Sequence, residues 1–162
     1  MFARTPRLLL RPGFPEDAPA LAGIMSDKIA RNLAVVPWPY SLRDAEAFLA
    51  SPRDPVLPSL LIFERGQNAP QLVGSCGLGR RPSGAVELGY FVMPGWRRRG
   101  LAEEAARAMM DWARRVHGVR RFVVSIGPAN AASVAMARKL GFVRIGSHVD
   151  EEDGYEDILA LG

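Results

Sequence analysis

The strongest constraint on the fold is an amphipathic helix in the middle of the chain. From about 100 to 117 apolar residues recur at helical spacing, and Gly118 follows as a left-handed cap. Such a stripe must be buried against another element, and the flanking segments 85–92 and 121–126 have the pattern of strands. The sequence therefore predicts a helix packed on a sheet. The stripe consists of Leu101, Ala105, Ala108, Met109, Trp112, Ala113 and Val116.

The remaining elements surround this helix in an order that predicts a mixed α/β fold. In chain order they are a strand, two helices, three strands, the long helix, a strand, a shorter helix and two strands. Neither an internal repeat nor a linker divides them, so we expect 1–162 to form a single domain with helices on both faces of a mixed sheet. The predicted ranges are strands at 8–11, 60–64, 71–76, 85–92, 121–126, 142–149 and 155–160, and helices at 16–25, 44–50, 100–117 and 130–140.

The composition excludes several classes of protein. Hydrophobic residues make up 48% and charged residues 23% of the 162 positions, which is typical of a globular domain and not of a disordered chain. The single cysteine, Cys76, cannot form an internal disulfide, and no secretion signal is recognisable, so we expect a reducing, cytoplasmic setting. The longest apolar run, 57–63, is interrupted by Pro58 and is far shorter than a membrane span. We therefore expect no membrane partner.

A basic turn, Arg97–Arg99, joins the strand at 85–92 to the long helix. The first turn of a helix presents backbone N–H groups without internal partners at the positive end of the helix dipole, so phosphate binds readily there. Gly100 permits close approach of the backbone, and the small Ala102 leaves room for a ligand. The segment predicts a phosphate site, and a solvated basic helix start is the alternative.

Two motifs resemble signatures of the GNAT superfamily of acetyltransferases. The chain has neither the Gly-x-x-x-x-Gly-Lys-Ser/Thr loop of nucleoside triphosphatases nor a Gly-x-Gly-x-x-Gly turn that opens a helix. Instead, Arg97-x-x-Gly100-x-Ala102 resembles the Gln/Arg-x-x-Gly-x-Gly/Ala signature of that family. Asn130-x-x-Ser133 then begins a helix that ends at Gly141, as in the family, although propensity alone also explains a helix capped at these positions.

The resemblance extends upstream and covers nearly the whole chain. The segments 37–41 and 44–46 are similar to the branch that contains ribosomal-protein N-terminal acetyltransferases. Membership would imply a mostly antiparallel, six- to seven-stranded mixed sheet with helices on both faces. It would also imply transfer of an acetyl group from acetyl-CoA, as co-substrate, to a primary amine. The acceptor would be a protein N-terminal α-amine or a small-molecule amine, and the residues do not decide between them.

The resemblance also implies which residues bind the two substrates. In the family, the loop amides hold the pyrophosphate of coenzyme A, and the preceding strand, here 87–93, bonds the pantetheine arm through its backbone. Trp38, Tyr40 and Glu87 would shape the acceptor pocket, and no metal is implied. The residues expected at the coenzyme are Phe91, Val92, Met93, Arg97, Arg98, Arg99, Gly100, Leu101, Ala102, Asn130 and Ser133.

Two residues are candidates for the chemistry. Attack on a thioester requires a neutral amine, whereas an α-amino group titrates near ~8, so a group must accept a proton. Glu87 is the acid of an otherwise apolar strand and is our candidate general base, unless it is only a solvent-facing residue. Many relatives carry a tyrosine where this chain has Ala137. Ser133 is therefore our candidate donor to the leaving sulfur, with Tyr90 and Tyr155 as substitutes.

Other functions share some of these features. A coenzyme A-binding sensor without turnover would use the same phosphate loop, and Ala137 favours it slightly. A nucleic-acid binder is disfavoured because the acidic segment 150–157 would repel a phosphate backbone. That acidic segment could attract a cationic acceptor, or it could be a solvated turn. We also expect that a homodimer is possible through apolar surface on the closing strands, 142–149 and 155–160.

Overall fold

The computed structural model describes residues 2–25, 39–66, 68–127, 129–150 and 154–162. Four α-helices lie in these residues, and none of them has the length and apolar content that crossing a membrane requires. The helices are α1 (Ala18–Ile24), α2 (Leu42–Ala50), α3 (Leu101–His117) and α4 (Ala131–Leu140). The strands are β1 (Ala3–Arg4), β2 (Leu8–Arg11), β3 (Ser59–Glu64), β4 (Gln71–Arg80), β5 (Val86–Val92), β6 (Phe122–Ile126), β7 (Val143–Asp150) and β8 (Gly154–Leu161).

The strands form one mixed sheet in the order β1-β2-β3-β4-β5-β6-β8-β7. All neighbours are antiparallel except β5 and β6, which are parallel. This confirms the predicted mixed sheet, although the sheet has eight strands and not six or seven. The additional strand is β1, whose two residues are too few to produce a recognisable alternation. It forms because Ala3 and Arg4 pair with Leu10 and Leu9 of β2.

Two apolar clusters cover the two faces of the sheet. Leu60 and Ile62 of β3 belong to the larger cluster, which contains the buried residues of α3 and α4. Leu61 and Phe63 belong to the smaller one, which contains those of α1 and α2. Because successive side chains of a strand point to opposite faces, the helices flank the sheet on both sides, as the sequence predicted.

The helix ends follow the local signals of the sequence. The side chain of Ser41 accepts a hydrogen bond from the Asp44 N–H at the start of α2. The side chain of Asn130 accepts one from the Ser133 N–H at the start of α4. Gly118 and Gly141 end α3 and α4 in the left-handed conformation, with φ of 65° and 96°.

An ion pair between β2 and the turn before α1 is expected to make stability depend on pH. Asp17 is 8% exposed and accepts hydrogen bonds from both terminal nitrogens of Arg11, at 2.7 and 2.8 Å, and from the Phe14 N–H at 2.7 Å. The bonds from Arg11 lower the pKa of Asp17 despite its burial. We expect Asp17→Asn to lower the free energy of unfolding by about 2 kcal/mol at neutral pH.

The pH dependence of this difference provides the check. A carboxylate whose pKa is lowered by folding contributes stability above its unfolded pKa, near ~3.9, and loses it as the pH falls through the lower folded value. Urea titrations at pH values on both sides of this window should therefore show that the free energies of unfolding of the two proteins converge in acid. Asp111→Asn removes an exposed carboxylate of α3 and should change the free energy of unfolding little at any pH. An equal loss in both variants would contradict the prediction.

Candidate functional site

A cleft opens where β5 and β6 separate. The two strands pair only at Val86 with Phe122 and at Glu87 with Val123, while β5 stays paired with β4 as far as Val92. Beyond Glu87, one edge of β5 therefore faces the gap. Together with the first turns of α3 and α4, this edge bounds a cleft of about 520 Å³.

A glycine on β4 shapes the edge of β5 at this cleft. The register between β3 and β4 shifts so that Val73 is an extra residue between Leu72 and Gly74. A Cβ atom placed on Gly74 would lie 2.1 Å from the backbone oxygen of Phe91, which no side chain can tolerate. The Val73 carbonyl accepts a hydrogen bond from the Met93 N–H at 2.9 Å. We did not identify Gly74 from the sequence, although a glycine inside an apolar strand is a known sign of close backbone approach.

The basic loop, Arg97–Gly100, lies at the mouth of the cleft and contains two residues in the left-handed conformation. Arg98 has a φ of 62° and Gly100 a φ of 75°. Glycine adopts this conformation readily, whereas an arginine does so at a cost of about 1–2 kcal/mol. Gly100 precedes α3 and provides no capping side chain, so the first N–H groups of the helix have no partner inside it. Backbone donors and guanidinium groups thus converge on the cleft.

The structure brings most of the expected coenzyme residues to this cleft. The Met93 N–H is bonded to β4, and the Arg99 guanidinium forms an ion pair with Glu64 of β3. These two are not among the described residues that line the cleft. The expected residues that do line it are Phe91, Val92, Arg97, Arg98, Gly100, Leu101, Ala102, Asn130 and Ser133.

Glu87 is held in a cluster beside the strand separation and does not line the cleft. Its Oε2 accepts a hydrogen bond from Arg81 Nε at 3.0 Å, and its Oε1 accepts one from the Ser125 hydroxyl at 2.6 Å. Arg81 also donates to Ser125, which completes the cluster. By alternation, Glu87 lies on the face of β5 opposite to the buried Leu88. The position is therefore on the α1 and α2 side of the sheet.

The residues expected at the acceptor are described in part. Tyr40 packs against the smaller apolar cluster, and burial raises the pKa of its hydroxyl. Trp38 lies outside the described residues. Of the three residues expected at the acceptor, the structure therefore describes Tyr40 and Glu87.

Two candidate donors to sulfur lie side by side in the cleft. The Tyr90 hydroxyl donates to the backbone oxygen of Ser133 at 3.3 Å, and both residues line the cleft. Burial raises the pKa of Tyr90 to about 12, so this hydroxyl keeps its proton at neutral pH. Tyr155, the other substitute, is exposed on β8 and accepts a hydrogen bond from Arg144.

An ion pair lies beside the cleft. Glu103, in the first turn of α3, forms an ion pair at 2.6 Å with Lys139 of α4, so a charged pair connects the two helices beside the cleft.

Cys76 is a buried core residue, and burial raises the pKa of its thiol to about 12. Within the described ranges, no three His, Cys, Asp or Glu side chains are grouped to hold a metal ion.

Comparison with known proteins identifies the family. The model of the acetyltransferase (GNAT) domain matches residues 7–143. The chain belongs to the GNAT acetyltransferase family. Enzymes of this family transfer acetyl groups and in general take them from acetyl-CoA. No protein with a curated description matches this GNAT domain.

Solved structures support the assignment of the fold. An acetyltransferase from Agrobacterium tumefaciens is 25% identical to this GNAT domain, with a TM-score of 0.79 over 100% of this chain and 94% of the other. A GNAT-family acetyltransferase from Bacillus anthracis is 22% identical, with a TM-score of 0.80 over 99% and 96%. The ribosomal-protein-S5-alanine acetyltransferase from Vibrio fischeri is 15% identical, with a TM-score of 0.79 over 99% and 96%.

Proposed function

We propose that this protein is an N-acetyltransferase that moves the acetyl group of acetyl-CoA to a primary amine. The observation that carries the proposal is the cleft itself. The open edge of β5, the basic loop and the first turn of α4 meet there, in a chain of the acetyltransferase family. An extended ligand with an anionic end fits these surroundings.

The residues of the cleft suit the two parts of such a ligand. Arg97 and Arg98 supply positive charge, and the first N–H groups of α3 supply backbone donors for a diphosphate. Phe91 and Val92 continue from this loop along the edge of β5, where backbone groups can bond an amide-containing arm. Asn130 and Ser133 close the opposite side at the start of α4. In this arrangement, bound acetyl-CoA supplies an activated acetyl thioester.

The proton transfers require a base and a donor. Glu87 accepts, directly or through water, the proton that the ammonium form of the amine loses before its nitrogen bonds to the acetyl carbon. Arg81 and Ser125 hold the carboxylate in place during this step. As the carbon–sulfur bond breaks, Tyr90 or Ser133 donates a hydrogen bond to the departing sulfur. A thiol titrates near ~8.5, so modest assistance is enough.

The acceptor is a protein N-terminal α-amine or a small-molecule amine. The similarity of 37–41 and 44–46 to the ribosomal-protein branch supports the protein acceptor, and so does the likeness of the fold to the enzyme from Vibrio fischeri. The acidic residues near the C-terminus support any cationic acceptor. Of these, Asp157 is already paired with Arg144 at 2.7 Å.

A coenzyme A-binding module without turnover is the second candidate. Both carboxylate oxygens of Glu87 are already engaged, by Arg81 and by Ser125, and this observation favours it. Such a module would bind the thioester in the same cleft. It would release no thiol with any amine.

One experiment separates these functions. Calorimetry with acetyl-CoA should detect binding, and a free-thiol assay should detect release of coenzyme A with at least one member of a panel of N-terminal peptides and small amines. Binding without thiol release across the panel would favour the sensor. If acetyl-CoA produced neither heat nor thermal stabilisation, both functions would be rejected.

The roles of Tyr90 and Ser133 can be separated by mutation. We expect Tyr90→Phe to lower kcat about tenfold, because the phenyl ring keeps the packing but removes the donor. Ser133→Ala tests the other candidate in the same assay, and Tyr155→Phe is the control, since that hydroxyl is on β8 and bonded to Arg144. A large loss in Ser133→Ala together with normal rates in Tyr90→Phe would assign the role to the serine.

A further inference from the structure

Two segments that do not line the cleft, the residues before β2 and the end of β3, brace the basic loop. The first brace begins just before β2, where Thr5 and Arg7 meet Glu104 in the first turn of α3. Glu104 Oε1 accepts hydrogen bonds from the Thr5 hydroxyl at 2.5 Å and from the Arg7 N–H at 2.9 Å, and its Oε2 accepts one from Arg7 Nε at 2.7 Å. Both oxygens of this carboxylate are thus bonded, and its side chain is only 16% exposed.

The guanidinium of Arg7 also bonds the loop itself. Its NH1 donates to the Arg99 carbonyl at 2.7 Å, so one side chain connects the loop to the first turn of α3. In a trans peptide, the carbonyl and the following N–H point in opposite directions. The bond to Arg7 therefore directs the N–H of Gly100 away from Arg7, and Gly100 lines the cleft.

Glu64, at the end of β3, forms the second brace. It accepts a hydrogen bond from Trp96 Nε1 at 2.7 Å and pairs with the guanidinium of Arg99. Glu104 thus neutralises Arg7, and Glu64 neutralises Arg99. None of these four residues lines the cleft. Arg97 and Arg98 remain as the cations of the loop that line it. The braces therefore act on the geometry of the loop and add no charge to the ligand site.

The loop needs such support because one of its residues is strained. A left-handed arginine persists only when the surrounding structure holds it, and Arg98 lies between two braced residues, Trp96 and Arg99. Without the bonds to Arg7, the peptide after Arg99 could rotate. The Gly100 N–H would then lose its direction toward the cleft.

We infer that Arg7 and Glu104 are positioning residues that set the affinity for the diphosphate of the nucleotide thioester. The inference rests on the proposed function, since it concerns the same cleft. Neither residue is placed to contact the reacting thioester. Their loss should weaken the binding of the phosphate-bearing end alone.

Comparison of two ligands tests this inference. We expect Arg7→Met and Glu104→Gln to raise the Kd for acetyl-CoA about tenfold by calorimetry, which corresponds to about 1.4 kcal/mol. The Kd for S-acetylpantetheine, which lacks the diphosphate and nucleotide, should not change. Arg7→Lys should resemble Arg7→Met, because an ammonium cannot reproduce the planar fork that bridges two acceptors. Arg115→Met is the control, since Arg115 is an exposed cation at the far end of α3.

The outcomes distinguish this inference from the proposed function. Equal weakening of both ligands would mean that the variants disturb the fold in general and would overturn the inference. An unchanged Kd for acetyl-CoA in Arg7→Met and Glu104→Gln would overturn it as well. If the unmodified protein bound neither ligand, the proposed function would fail with it. The melting temperature of each sample shows whether the variant is folded at the temperature of the binding measurement.

Discussion

Replacing Gly74 with alanine should lower the free energy of unfolding by about 3 kcal/mol and abolish binding of acetyl-CoA. The new Cβ would lie 2.1 Å from the backbone oxygen of Phe91, and a backbone atom cannot move aside as a flexible side chain can. Separation of β4 from β5 would displace Phe91 and Val92, which line the cleft. Urea denaturation measures the first effect and calorimetry the second.

Gly79→Ala is the matched control for this substitution. Gly79 lies on the same strand, and a Cβ placed on it would meet nothing within 4 Å. We expect its stability to remain close to that of the unmodified protein or to increase slightly, because alanine restricts the unfolded chain. Similar losses in both variants would show that any substitution on β4 is harmful and would refute the close approach at Gly74.

Replacing Glu87 with glutamine should lower kcat about a hundredfold near neutral pH while leaving the Kd for acetyl-CoA unchanged. Glutamine has nearly the same shape and can still bond Ser125, but it cannot accept a proton. Binding should persist because Glu87 does not line the cleft. Initial rates of thiol release, with an amine found active in the panel, measure the effect.

The pH profile adds a second readout for Glu87. Since an α-amino group titrates near ~8, its neutral fraction grows at higher pH without help from a base. The deficit of Glu87→Gln should therefore shrink as the pH rises. Ser125→Ala keeps the carboxylate and removes one of its hydrogen bonds, so we expect a smaller loss in this variant. Unchanged kinetics in Glu87→Gln would remove this residue from the mechanism.

The basic composition of the loop is a poor guide to the charge that a ligand would meet. The sequence places three consecutive arginines, Arg97–Arg99, among the residues expected at the coenzyme. In the structure, however, Arg99 turns to Glu64. The pairing depends on β3 lying next to the loop, which no local pattern of residues reveals. The charge at the cleft is therefore supplied by Arg97 and Arg98, with Lys139 shared with Glu103.

Elements whose signals are local could be predicted from the sequence. The stripe of α3, the caps at Ser41 and Asn130 and the terminating glycines depend on contacts among neighbours within a turn or two of the chain. The motif 97–102 also depends on neighbouring residues, because it consists of one turn that leads into one helix. The sequence thus determined the order of elements, the family resemblance and the position of the basic loop.

Tertiary structure alone decided which side chains meet. The bond between Arg7 and Glu104 spans 97 positions, and those between Tyr90 and Ser133 and between Ser125 and Glu87 span 43 and 38. The clash that requires a glycine at position 74 depends on the distance between two neighbouring strands. Backbone hydrogen bonding within a few residues is encoded locally, whereas such long-range contacts exist only after the sheet has assembled. The place of the loop at the start of α3 could therefore be predicted from its residues, and the contacts that support the loop could not.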